Sequence, residues 1–150
     1  PFKWVSKAEN FKLPFVGMVL SLSNCIKINR GSARSGLQFI GQAEQEMKKG
    51  SSVMIFPEGT RSKTREMRPF MDGAFVLAKK MNSAIIPIVH TGTEKTFPRG
   101  KGGWALSGKT LIKIRVLDEI PAELVSSMDI GELKEYVRKI MEDGINLLEE

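Results

Sequence analysis

Two hydrophobic periods alternate along this chain. Apolar and polar residues alternate singly in "CIKINR" (25–30) and "TLIKIRVL" (110–117), the pattern of half-buried strands. "SVMIF" (52–56) and "AIIPIV" (84–89) are short continuous apolar runs, which read as buried strands; Pro87 marks the second as an edge or an irregularity. Between them the period lengthens to that of a helix. From about residue 34, after Ser32 or Ser35 as cap, Leu37, Ile40, Ala43 and Met47 fall on one face, and Gly50 is the stop. "DGAFVLAKKM" (72–81) predicts a second helix, with Asp72 at its positive end and Lys79 and Lys80 at its negative end. A third, about 129–149, aligns Leu133, Val137, Ile140, Met141 and Leu148. Residues 91–108, with many Gly, Thr and Lys, predict a long loop.

The order strand–helix–strand–helix–strand–loop–strand–helix predicts an α/β fold, a mostly parallel sheet with flanking helices. At 150 residues the chain suits one domain, 1–150, without repeats or low-complexity tracts. Ligands of such sheets bind beyond the carboxyl ends of the strands. Two of those ends are polar: Arg30 closes one strand, and "PEGTR" (57–61) follows another.

Charge sharpens this picture. The net charge of +6 is uneven, with 12 Lys/Arg against 5 Asp/Glu over residues 1–70 and 11 against 12 over 71–150. An excess confined to one half suits an anionic partner: a phosphate ligand, a membrane surface or nucleic acid. A solvated basic face is the plainer reading. The hydrophobic fraction of 41% excludes a disordered chain, and one cysteine, Cys25, excludes an internal disulfide. "FKLPFVGMVLSL" (11–22) is too short to cross a bilayer. With Trp4, Lys3, Lys7 and Lys12 beside it, it suits either a bilayer surface or a buried core segment.

The residues after "SVMIF" suit anion chemistry. Arg30 and Arg61 are permanently charged forks matched to phosphate or carboxylate. Gly59 permits a tight turn and close backbone approach, Thr60 adds a hydroxyl, and successive N–H groups can form an anion nest. Glu58 can orient an arginine, accept a substrate hydroxyl or act as a base. The alternative is a solvated Glu–Arg pair in a turn, worth at most about 1 kcal/mol. Lys63, Arg65 and Arg68 continue the basic run and suit steering of an anionic substrate, or only a solvated face. "GWALSGKT" (103–110) matches the phosphate-loop pattern by letter, but a loop precedes it and a β-patterned run follows, so the required strand and helix are missing. His90 is the one histidine, a general base or an ordinary loop residue. No zinc-type His/Cys spacing and no G-x-S-x-G elbow occurs, and no metal or cofactor is expected.

"FPEGTRS" (56–62) resembles the hallmark motif of the glycerolipid acyltransferases, the 1-acyl-sn-glycerol-3-phosphate acyltransferase family. The segment from "PFKWVSK" through Arg30 resembles the family's approach to its second block, and "RPFMDGAFVLAKKMNSAIIPIV" (68–89) resembles the region after the hallmark, with "IIPIV" as the fourth block. The similarity covers roughly residues 1–95 in order and spacing. It implies transfer of an acyl chain from acyl-CoA or acyl-carrier protein to lysophosphatidic acid, giving phosphatidic acid, at the cytoplasmic face of a membrane and without nucleic acid. It implies that Arg30 and Gly59–Thr60–Arg61 contact the acceptor phosphate, that Glu58 positions the acceptor or braces the arginines, and that 85–89 support the acyl or donor side. The family's base is the His of a His-x4-Asp motif, acting by direct attack on the thioester. Here His90 has Lys95 in the Asp place, so no catalytic residue is assigned in this chain. The resemblance therefore implies the carboxy-terminal part of an acyltransferase domain, truncated on its amino-terminal side and inactive alone. It also implies one basic contact fewer, because Asp72 stands where many relatives have lysine. The competing expectation is a non-catalytic basic α/β module that binds anionic lipid or nucleic acid.

Overall fold

A computed structural model describes residues 1–29, 33–60, 62, 66–93 and 109–149. The chain forms two compact units: Pro1–Thr60 with Met71–Met81, and Arg61–Phe70 with Asn82–Glu150.

The first unit is built on a parallel sheet. Strand β1 (Phe2–Lys7) lies between β2 (Ile26–Ile28) and β3 (Ser52–Met54). Val5 to Lys7 pair with Ile26 to Ile28, and Phe2 to Trp4 pair with Ser52 to Met54. The central strand was not among the expected elements, because Lys3 and Lys7 make its pattern look like a basic surface segment. Lys3 belongs to the fold: its Nζ donates to the Ser23 carbonyl at 3.2 Å, and its side chain is only 18% exposed. A 3-10 turn (Ala8–Lys12) and helix α1 (Val16–Leu22) lead from β1 to β2.

Helices α2 (Ala33–Lys48) and α3 (Gly73–Lys80) pack on one face of this sheet. Ile26, Phe39, Ala43 and Leu77 form the buried centre, with Val5, Ile28, Val53 and Ile55 of the sheet region and Ile40, Met47 and Met81 around it. The inward face of α2 is thus centred on Phe39. Leu37, expected in the core, is 72% exposed, because two residues correspond to about 200° of helical rotation. Gly50 ends the helix as expected, at φ +84°, its N–H bonding to the Met47 carbonyl at 2.9 Å. Ser35 lies inside α2, and Ser32 is outside the described residues. A polar clasp joins the helices: Glu44 accepts from Lys48 at 2.7 Å and from Lys80 at 2.6 Å. These two ammonium groups lower the Glu44 carboxyl from 4.5 to about 2.

The second unit contains an antiparallel pair, β4 (Ile88–Thr91) with β5 (Lys113–Val116). Among the described residues, parallel pairing is confined to the first unit. The apolar run at 84–89 is not one strand. Ile85 forms an isolated bridge with Ile120, Pro87 offers its carbonyl to Leu117 N–H at 2.9 Å, and β4 begins after the proline, which has no N–H to give. A short helix α4 (Ala122–Ser127), not anticipated, precedes α5 (Ile130–Glu149). Asp129 and Glu132 cap α5 reciprocally, each carboxylate accepting the other's backbone N–H at 2.9–3.0 Å. The expected stripe of α5 holds: Leu133, Val137 and Leu148 are buried, and Ile140 and Met141 are half-buried.

Candidate functional site

Because β2 and β3 both run parallel to β1, both leave the sheet at the same edge, on either side of the central strand. Across the sheet β2 and β3 are about 10 Å apart, two strand spacings. Strand β2 ends opposite Lys7, three residues further along β1 than β3, which ends opposite Trp4. The polar strand ends expected from the sequence therefore start from one edge of one sheet. Arg30 follows β2 and Arg61 follows the turn after β3; both lie outside the described residues, as do Lys63, Arg65 and positions 103–108 of the phosphate-loop match.

The turn after β3 is fixed by local chemistry. Gly59 N–H donates to the Phe56 carbonyl at 3.0 Å, which closes a four-residue turn with Pro57 second and Glu58 third. Proline presets φ for that second place. Gly59 has φ +70°, a conformation costly for any residue with a Cβ, and a Cβ there would also fall on the Met71 sulfur. Glu58 and Thr60 are half-buried on either side of it.

The chain then returns to the turn. Met71 N–H donates to the Pro57 carbonyl at 2.9 Å, and α3 starts two residues later. The Asp72 carbonyl accepts from Phe75 and Val76 at 3.0 and 2.9 Å, while its side chain makes no capping hydrogen bond. The positive end of α3 is thereby tethered beside the glycine turn, an electrostatic setting that favours an anion. Met71 gives no sequence signal for this role.

Apolar rings flank the turn. "SVMIF" was expected to be buried throughout, but β3 stops at Met54 and Phe56 is 55% exposed. Its ring stacks on Trp4, centroids 5.9 Å apart, and Trp4 meets Phe2 edge-on at 5.7 Å. By strand alternation Phe2 and Trp4 point away from the face that carries Val5, so these rings line the side opposite the core. The spacing Phe2-x-Trp4 was the available signal for this surface.

His90 is part of β4 rather than a loop. It pairs with Ile114, is exposed, and its Nδ1 lies 3.2 Å from Thr93 Oγ1. Among the described residues no group of His, Cys, Asp and Glu has the arrangement of a metal site.

A parallel sheet backed by helices, with a glycine turn at its carboxyl edge, defines an α/β protein. The acyltransferase family model matches residues 1–91, and the chain belongs to that family. It is 37% identical over 114 residues to a 1-acyl-sn-glycerol-3-phosphate acyltransferase of Chlamydomonas reinhardtii, covering 76% of this chain and 34% of that protein. It is 32% identical over 139 residues to the chloroplastic 1-acyl-sn-glycerol-3-phosphate acyltransferase LPAT1 of Arabidopsis thaliana, covering 86% and 39%. The chain thus spans between a third and two fifths of these relatives. The crystal structure of the 1-acyl-sn-glycerophosphate acyltransferase PlsC from Thermotoga maritima shares the fold, with a TM-score of 0.77 at 22% identity over 99% of this chain and 57% of that one.

Proposed function

We infer that the chain supplies the acceptor-phosphate site for transfer of a fatty acyl group from acyl-CoA or acyl-carrier protein to lysophosphatidic acid, giving phosphatidic acid at the cytoplasmic face of a membrane. The observation that carries this reading is the Phe56–Gly59 turn, which lies inside the family match and at the sheet edge where β2 also ends. In this reading Arg30 and Arg61 bind the phosphate dianion as forks, and the N–H groups at Gly59 and Thr60 cradle its oxygens. Glu58 orients the arginines or the acceptor. The rings of Trp4 and Phe56 offer the adjacent apolar surface that an acylated glycerol needs. The acceptor hydroxyl attacks the thioester carbonyl, its proton passes to the histidine of a His-x4-Asp motif, and the thiolate leaves. No such motif occurs in these 150 residues, and this reading assigns none of them as the catalytic base.

The test is steady-state kinetics of the complete enzyme with Arg30→Ala and Arg61→Ala. Each should raise the acceptor KM about tenfold or more, equivalent to about 1.4 kcal/mol, and leave the donor KM unchanged. Unchanged acceptor KM and kcat in both variants would reject the assignment.

A further inference from the structure

Helix α1 is amphipathic in the wrong direction for a soluble surface helix. Phe15, Met18, Val19 and Leu22 recur at the i, i+3, i+4, i+7 spacing of one helical face, and they are 81%, 58%, 57% and 77% exposed. Leu13 and Val16 extend the patch at 51% and 44%. The opposite face carries small residues. Gly17 is buried so close to the Phe11 backbone that a Cβ would fall on its carbonyl, and Ser21 turns its hydroxyl back to the Gly17 carbonyl at 2.7 Å. Gly17 is the buried residue of this helix, and Phe15, Met18, Val19 and Leu22 face out. A contiguous exposed apolar patch of this kind marks an interaction surface.

The approach to the helix reinforces this. Phe15 has φ 60° and ψ −52°, and Val16 N–H bonds to the Pro14 carbonyl at 2.6 Å, so Phe15 is the centre of a strained three-residue turn. The strain presents an aromatic ring that is 81% exposed, the most exposed among the described residues. Cations stand beside it. Lys12 is exposed at the end of the preceding turn, and Lys27 holds its ammonium 4.8 Å from the ring centroid of Phe11, the residue whose backbone Gly17 packs against. Over residues 1–43 the sequence has six Lys/Arg and one acidic residue, Glu9.

We propose that Leu13–Leu22 is a docking surface for an anionic lipid bilayer, lying flat with Phe15, Met18, Val19 and Leu22 in the boundary between headgroups and acyl chains and with Lys12 and Lys27 against the headgroups. Charge complementarity selects this occupant over a second copy, whose equally basic first half would repel. The inference gives the membrane part of the proposed function a particular element, and it rests on that part. The segment is far too short to span, and no described helix is long and apolar enough to cross a membrane.

The test is flotation of the full chain with vesicles of phosphatidylcholine alone or mixed equally with phosphatidylglycerol. Anionic vesicles should capture it, and Met18→Asp with Leu22→Asp should weaken partitioning on the order of a hundredfold. Lys12→Gln and Lys27→Gln should each weaken it about fivefold, on anionic vesicles only and with a loss that salt reproduces. Circular dichroism should show the variants folded, since every altered side chain is exposed. As a second readout, Val19→Trp should give emission that shifts to the blue on anionic vesicles and is quenched by brominated lipid. Equal capture of the parent and the Asp variant overturns the proposal. So does a concentration-dependent dimer that the Asp variant dissolves without any vesicle binding. The assay involves no turnover, so its failure leaves the phosphate site of the turn to be judged by its own kinetics.

Discussion

Met71 and Pro57 are joined by a 2.9 Å backbone hydrogen bond, and this bond sets the start of α3 beside the turn that ends β3. The same methionine lies against Gly59. The glycine therefore meets two constraints, its own φ of +70° and a neighbouring side chain.

Replacing it separates the two. Gly59→Ala should destabilise the protein by about 1–2 kcal/mol in urea denaturation, since an L residue is strained at this φ. Adding Met71→Ala should recover the steric part and leave the conformational part, because the blocking atom belongs to a flexible side chain. Full recovery in the double variant would show that φ carries no cost here.

Glycines elsewhere should respond in opposite directions. At Gly17 the obstacle is the Phe11 backbone, which cannot swing aside, so Gly17→Ala should cost about 1–3 kcal/mol. Gly36 and Gly41 lie within α2 with open space at their Cβ positions. Gly36→Ala and Gly41→Ala should each stabilise by about 0.5–1 kcal/mol. Thermal unfolding of the three variants checks the difference in sign.

The elements that could be read from sequence were those whose own side chains carried the period. The α5 stripe was legible because Leu133, Val137 and Leu148 repeat at helical spacing and meet a packed surface. β1 was not, because the partner that accommodates Lys3, the Ser23 carbonyl, is twenty residues away. Phe39 and Leu37 are both apolar, and only packing against Ile26 and Leu77 decides which one faces in. At the candidate site the residue types Glu58, Gly59 and Thr60 were legible from "PEGT". The return of the chain at Met71 is a backbone contact, so no side-chain pattern reports it.

The clasp between α2 and α3 predicts acid sensitivity. Lys48 and Lys80 depress the Glu44 pKa from 4.5 to about 2, so the stabilisation from this group is full above pH 4.5 and is lost as pH falls toward 2. Glu46 shifts in the same direction through Lys49. Glu44→Gln should lower the melting temperature at pH 7, flatten its decline between pH 4.5 and about 2, and converge with the parent at the acid end. Parallel melting curves of the two proteins across that window would remove the clasp as a source of acid sensitivity.

Asp72 sets the charge next to the turn. It precedes α3 directly, and a carboxylate at the positive end of a helix contributes about 0.3–1 kcal/mol. A phosphate at the Pro57–Thr60 turn would meet the same positive helix end with this carboxylate one residue from the Met71–Pro57 bond. The two anions compete for one field. Asp72→Asn should therefore lower stability slightly and tighten binding of sn-glycerol 3-phosphate by roughly two- to fivefold, the gain shrinking as salt is raised. Asp72→Lys should tighten it further. Calorimetric titration at two ionic strengths measures this directly, and affinity unchanged across all three side chains would place the phosphate away from the start of α3.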